Sequence, residues 1–250
     1  MLKKLLILLI PGLLGLQIQE QPLRVAVAAN AQFVMESLAT AFQKQTGIKI
    51  EPIVSSSGKL TTQIQQGAPF DVFLSADMEY PNTLYQQKLT TTAPIIYAYG
   101  SLVLWTLGDL PLSADLKVLQ NPSVRHIAIA NPATAPYGEA AVLLLKYKKL
   151  FESIQSRIVF GESISQVNRY VLSGAAEVGI TAKSVVLDPS LNQQGHWIDL
   201  PPTGYSPIAQ GVVVLKRTDK AKAAGQFVQF LRSPTARRIL QQYGYRSPKS

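Results

Sequence analysis

Ser55-Ser56-Ser57-Gly58 sets three hydroxyls and a glycine side by side. It sits between a β-like run ending at Val54 and a short amphipathic stretch in which Leu60 and Ile64 are four apart and Gly67 supplies the stop. A helix that opens on Ser-Gly turns free N–H groups and the positive end of its dipole toward whatever precedes it, which makes a ready oxyanion site. The same residues also read as an ordinary N-cap. Three other places feed a strand end into a helix start: Ala29-Asn30, Pro136-Tyr137-Gly138 and Ser163-Ile164. A fully deprotonated dianion has only acceptors, so its site should offer hydroxyls, amides and N–H groups and no carboxylate. None of the four stretches contains Asp, although Glu139 follows Tyr137 by two residues. A protonated phosphate would want an acceptor as well. Taking a dianion out of water costs many kcal/mol, and each hydrogen bond to a charged group returns about 1.5–3 kcal/mol, so about six to eight aligned donors are needed. Several convergent helix N-termini supply that number and one does not. Closure that excludes water strengthens each contact.

The elements that would position these donors alternate along the chain. Arg24 to Ala29 reads as a buried strand, followed by a helix with Val34, Leu38, Ala41 and Phe42 on one face, closed by Gly47. Ile48 to Val54 is the second strand and Asp71 to Ser75 the third, with Ala76-Asp77 leading a helix through Leu84. This β-α-β-α-β-α order implies a parallel sheet with right-handed crossovers. Ligands bind beyond the strand ends of such sheets, so Ala29-Asn30 and Ser57-Gly58 should lie side by side. The theme returns with strands at Leu102–Trp105, Arg125–Ala130, Arg157–Phe160 and Glu177–Thr181. Between them, Asp115 to Leu119 and Ala140 to Lys148 read as helices, and Ser163-Ile164 opens another with Ile164, Val167, Val171 and Leu172 on one face. Late strands at Trp197–Leu200 and Ala209–Leu215 precede helices over Lys220–Leu231 and Pro234–Tyr243. The chain is expected to leave the first lobe near Gly100 and return near Pro207, making two α/β lobes around a cleft that hinges shut. In residues, 1–21 is a signal peptide, 22–99 with 207–250 one lobe, and 100–206 the other.

Composition narrows the function. The 250 residues are 47% hydrophobic and 16% charged, ample for one large domain or two of about 110. The net charge of +9 is spread, with Lys146-Tyr147-Lys148-Lys149 the one dense cluster, which suits general attraction to anions and not a nucleic-acid groove. Without cysteine there are no disulfides, thiolate metal sites, cysteine nucleophile or lipid-anchored N-terminal Cys. Met1-Leu2-Lys3-Lys4 followed by the apolar Leu5 to Leu16, broken by Pro11 and Gly12, reads as a secretory signal too short to span a membrane. No Ala-x-Ala precedes Gln17 to Gln21, so an uncleaved anchor is the alternative; the mature chain is expected to start near residues 17–22.

The motifs, taken together, resemble those of the periplasmic molybdate-binding proteins, the solute receptors of ABC-type oxyanion importers, from about Leu23 to Tyr245. The matching pieces are Ala28-Ala29-Asn30, Ser56-Ser57-Gly58, Gln63-Ile64 with Gly67-Ala68-Pro69, and Asp71-Val72-Phe73-Leu74-Ser75-Ala76-Asp77. Later ones are Ile127-Ala128-Ile129 with Asn131-Pro132, Pro136-Tyr137-Gly138, and Tyr243-Gly244-Tyr245. The resemblance implies an α/β, two-lobe type II periplasmic-binding fold, each lobe a mainly parallel sheet flanked by helices. It implies a non-enzymatic monomer that takes molybdate, and tungstate too, as an intact oxyanion with no direct metal ligands and no cofactor. The implied partner is the membrane permease of an ABC transporter, the location the periplasm. By motif position Asn30, Ser57, Tyr137 and Ile164 are the implied ligand residues, Ser57 through hydroxyl and N–H, Tyr137 through N–H or hydroxyl, Ile164 through N–H. Ala29 abuts the first of these and adds its own N–H. Many members carry a Tyr after the Gly-Ile-x run, where this chain has Ala182, so Ala182 is given no ligand role. Lys59 reads as an exposed side chain or as a steering charge. His126, in a strand, and His196 read as structural, and Tyr97, Tyr99 and Trp105 as packing at the lobe crossing. Two other readings stand beside this one: a receptor of the same fold for another small anion such as sulfate, and an exported hydrolase with Ser57 as nucleophile. The hydrolase needs His126 or His196 as base and lacks a Gly-x-Ser-x-Gly elbow.

Overall fold

The computed structural model describes residues 21–191 and 194–248. The expected signal segment, apart from Gln21, lies outside the described residues. The strands are β1 (Leu23–Ala28), β2 (Ile50–Ser55), β3 (Val72–Ser75), β4 (Ile95–Gly100), β5 (Leu102–Thr106), β6 (Ile127–Ala130), β7 (Ile158–Gly161), β8 (Val178–Ala182), β9 (His196–Asp199) and β10 (Ile208–Val214). The α-helices are α1 (Gln32–Thr46), α2 (Ser57–Gln65), α3 (Glu79–Gln86), α4 (Pro136–Tyr147), α5 (Phe151–Ile154), α6 (Ile164–Leu172), α7 (Lys183–Val186), α8 (Ala221–Leu231) and α9 (Pro234–Gln242).

The strands form two sheets of the same design, ordered β2-β1-β3-β10-β4 and β7-β6-β8-β5-β9. Four strands of each run one way and the fourth in order, β10 or β5, runs against them. Those two are the strands entered directly from the other sheet. One residue, Ser101, separates β4 from β5, and no crossover helix intervenes to keep the direction parallel. The fold is therefore a two-lobe α/β structure of two mixed sheets, each mainly parallel. Central strands β3, β6 and β8 are buried throughout, whereas edge strands β2, β7 and β9 are half exposed. That contrast matches their sequences, apolar runs such as Ile127-Ala128-Ile129-Ala130 at the centre and mixed runs at the edge.

Helix α1 buries Val34, Met35, Leu38 and Phe42, and Gly47 ends it at φ +79°. The Phe42 ring lies 5.2 Å from Phe227 and 5.4 Å from Phe230 of α8, tilted or edge-on as aromatic quadrupoles prefer. These contacts anchor the C-terminal half of α1 against α8.

Some local expectations shift. Helix α4 starts at Pro136, earlier than Ala140, because proline at the first helical position loses no helical hydrogen bond. Asp115 to Leu119 is instead a 3-10 turn over Lys117–Gln120, its entrance held by Asp115 Oδ1 accepting from Ser113 Oγ at 2.5 Å and Lys117 N at 3.1 Å. The helix after Asp77 starts at Glu79 because Asp77 Oδ1 accepts from Ser75 Oγ (2.9 Å) and Tyr80 N (3.3 Å) and shapes a turn. His126 lies just before β6, exposed, with its N–H donating to Glu177.

Candidate functional site

The sites follow from strand register. β1 and β2 pair with Ala28 opposite Ser55, so the 3-10 turn Ala29–Ala31 and the start of α2 are neighbours. In the second sheet β6 and β7 pair with Ala130 opposite Gly161, which sets the start of α4 beside the start of α6. The four helix starts meet around one small cavity of about 10 Å3, room for the centre of about one water-sized sphere. Its walls include Ala29, Asn30, Ser57, Tyr137 and Ile164, together with Ala28, Ser56, Ala76, Ala135 and Pro136. No charged side chain lines it. Ala182 does not line it either.

Each start contributes differently. Ser56 is the N-cap of α2, its Oγ accepting from Lys59 N at 3.4 Å. Ser57 follows as the first helical residue, and its hydroxyl accepts from Ala76 N at 3.0 Å. Accepting that bond leaves the Ser57 O–H as a separate donor, and the N–H of a first helical residue has no intrahelical partner. Gly58 N–H is committed across the cleft to Thr134 O at 2.9 Å. In α4, Gly138 N and Glu139 N both reach Ala135 O, and the Tyr137 N–H of the first turn is left over. In α6, Gln166 N and Val167 N both reach Ser163 O, which leaves Ile164 N–H. The first N–H groups of the Ala29–Ala31 turn are orphaned in the same way. Counting Ala29, Asn30, Ser57 (twice), Tyr137 and Ile164, the wall presents about six donors and the positive ends of helix dipoles.

Two side chains behave differently from what their types suggest. The Tyr137 hydroxyl is turned into the lobe crossing, where a Cβ on Gly100 would meet it at 1.8 Å, with Asn30 and Tyr245 as neighbours. Burial pushes this phenol well above its ordinary range, so it stays neutral. The Asn30 amide is likewise engaged. Gln210 Nε2 donates to Ala76 O (3.2 Å) and Ile208 O (3.1 Å), so its Oε1 faces Asn30 and accepts from Nδ2 at 2.7 Å. The second Nδ2 hydrogen goes to Tyr245 Oη at 2.9 Å. Ser184 Oγ (2.6 Å) and Tyr245 Oη (3.0 Å) both donate to the Asn30 carbonyl oxygen. Asn30 Oδ1 is buried and has no partner among the described residues. Asn30 therefore lines the cavity with both hydrogens of its amide already donated to Gln210 and Tyr245. Ala76, Gln210, Tyr245 and Ser184 escape a reading of the sequence as site residues. The one available signal was polarity out of place, as with Gln210 in the otherwise apolar run of β10.

The nearest charges lie outside the walls. Lys59 Nζ and Glu162 Oε2 are 2.5 Å apart across the cleft mouth. Asp77 and Glu139 line an adjoining cavity of about 210 Å3 that shares Ala76 and Pro136. Burial pushes the Asp77 carboxyl up to about 6, with Glu79 and Glu139 adding to it against hydrogen bonds from Ser75 and Tyr80. Neither histidine lines the cavity with Ser57: His126 faces Glu177 and His196 Nε2 lies 2.8 Å from Leu110 O. Neither histidine is thus placed as a base for Ser57, and no cluster of three His, Cys, Asp or Glu capable of holding a metal ion occurs among the described residues.

The chain is similar to known proteins along nearly its whole length. A family model described as bacterial extracellular solute-binding protein matches residues 23–246. The molybdate-binding protein ModA of Azotobacter vinelandii is 38% identical over 98% of this chain and 97% of its own length. The ModA of Rhodobacter capsulatus is 35% identical over 88% of this chain and 86% of its own. A solved structure of the periplasmic molybdate-binding protein of Azotobacter vinelandii superposes with a TM-score of 0.87 at 36% identity, covering 91% of this chain and all of that one.

Proposed function

The chain belongs to the bacterial extracellular solute-binding family, and on that premise we propose that it captures molybdate, and tungstate with it, between its lobes and delivers it to the membrane permease of an ABC importer. The observation that carries the reading is the convergence of four helix starts on one uncharged cavity. Ala29, Asn30, Ser57, Tyr137 and Ile164 hold the oxyanion, through main-chain N–H groups and the Ser57 hydroxyl. A site made of neutral donors suits a full dianion, which brings acceptors only, and has little to offer an ester or a cation. Residues 22–99 with 207–250 move as one lobe and 100–206 as the other, bending at Gly100-Ser101 and near Pro207. The protein acts as a monomer in the periplasm, after export on residues 1–21, and needs no cofactor.

Titration calorimetry and thermal unfolding of the purified chain with molybdate, tungstate and sulfate test this. A ligand at one hundred times its Kd adds about 2.7 kcal/mol to stability, so molybdate and tungstate should raise the melting temperature and sulfate should not. A folded sample that shifts with none of them refutes the proposal. A shift larger with sulfate than with molybdate moves the assignment to a sulfate receptor of the same fold.

A further inference from the structure

Among the described residues, four bonds cross the cleft mouth, apart from the Ser184 bonds to Asn30 and Tyr245 on the far side of the cavity. Gly58 N donates to Thr134 O at 2.9 Å and Tyr80 Oη to Ala133 O at 3.3 Å, joining α2 and α3 to the loop before α4. The other two bracket Ile164 and join side chain to side chain. Ser165 Oγ donates to Gln32 Oε1 at 2.7 Å, and Lys59 Nζ meets Glu162 Oε2 at 2.5 Å. Lys59 is two residues beyond Ser57 and Glu162 two residues before Ile164, so this ion pair joins the two helix starts that face each other over the anion position.

Each charge carries one penalty by itself, although Glu162, just before the start of α6, is favoured by that helix's dipole. A cation in the first turn of α2 opposes the helix dipole. A carboxylate close to a bound dianion repels it. Paired across the mouth, the two offset both penalties, and the pair links an element of one lobe to an element of the other. We infer that Lys59 and Glu162, with Gln32–Ser165 as a neutral companion, form a clasp that sets how long the captured anion stays bound. They are positioning residues: neither lines the cavity, and both act by holding the start of α6 against the start of α2. This rests on the anion-receptor reading above. Lys59 and Glu162 side chains are 43% and 70% exposed, so the pair has the modest strength of a surface ion pair, about two- to fivefold in a rate constant.

Stopped-flow displacement of molybdate from the full chain tests the clasp, using Lys59→Met, Glu162→Gln and the double variant at low and high salt. Lys59→Met should speed release about fivefold, because it strands a bare carboxylate beside the dianion. Glu162→Gln should speed it less, because it also removes that repulsion. With Glu162 already replaced, Lys59→Met should add almost nothing, and Lys59→Arg should restore slow release. High salt should bring the unmodified chain toward the variants. An equal effect of Lys59→Met with and without Glu162, or release indifferent to salt, overturns the inference. A chain that binds no oxyanion at all sinks the functional reading instead. The clasp is then judged without ligand, from the distance between spin labels at Gln65→Cys and Glu152→Cys in this cysteine-free chain. Lys59→Met should lengthen that distance, and an unchanged distance refutes the clasp.

Discussion

Gly58→Ala isolates closure of the cleft from stability of the lobes. A Cβ on Gly58 would stand 2.8 Å from Tyr80 Oη, 3.0 Å from Thr134 Cα and 3.1 Å from Thr134 O. The tyrosine can swing aside. The Thr134 backbone belongs to the other lobe and cannot yield alone, so a normal carbon contact of about 3.5 Å requires the lobes to part there by roughly half an ångström. The Gly58 N–H to Thr134 O bond, 2.9 Å here, then stretches to about 3.4 Å and weakens. Tyr137 and Ile164 sit on the receding wall, and misaligning one of their charged hydrogen bonds costs about 1.5–3 kcal/mol, or about tenfold to a hundredfold in Kd. Meanwhile alanine is a better helix former than glycine by up to about 1 kcal/mol, so the ligand-free chain should melt no lower than before. Calorimetry with molybdate and a thermal scan without it read the two effects separately. Unchanged affinity in Gly58→Ala would mean that the cleft does not close at this contact, and the reasoning would fail.

Three further predictions concern single atoms. Ser57→Ala removes the hydroxyl proton offered to the anion and should weaken binding by about 1–3 kcal/mol by titration calorimetry; an unchanged affinity would reduce Ser57 to a structural acceptor for Ala76. Tyr137→Phe should keep molybdate affinity within about threefold, since the phenol is turned toward Gly100, Asn30 and Tyr245, and a loss beyond tenfold (about 1.4 kcal/mol) would place the hydroxyl on the ligand. Asp77 has its carboxyl pushed up from 3.8 to about 6 in the fold. The charged form is thus the disfavoured one, and the stability this group contributes is full below pH 3.8 and lost as pH rises through about 6. Asp77→Asn keeps the oxygen that accepts from Ser75 and Tyr80 while removing the charge. It should raise stability at pH 8 by about 1–3 kcal/mol and leave it unchanged near pH 3.5, whereas an equal shift at both pH values would refute the assignment.

What the sequence alone determined was local. Alternating strand and helix signals marked two α/β halves, because buried strands such as Ile127–Ala130 and helix faces such as Val34-Leu38-Phe42 follow from periodicities of two and 3.6 residues. Ser56-Ser57-Gly58 and Ser163-Ile164 were legible as helix starts because caps are read within a few residues. The lack of charge in all four stretches was equally visible. Helix α4 was less so, since its first turn looks like loop until Pro136 is seen to need no hydrogen-bond partner. Which atom of each residue faces the cavity was decided by tertiary structure. The Asn30 amide is claimed by Gln210, 180 positions away, and by Tyr245, 215 away, and its carbonyl by Ser184, 154 away. The Tyr137 phenol turns inward because Gly100, on another lobe boundary, leaves a space the size of a Cβ. Ala76 N–H binds the Ser57 oxygen and so turns the hydroxyl proton away from that contact, where it can be donated. A side chain's type names the bonds it is able to make, but its partners from distant parts of the chain determine which of those bonds remain for a ligand.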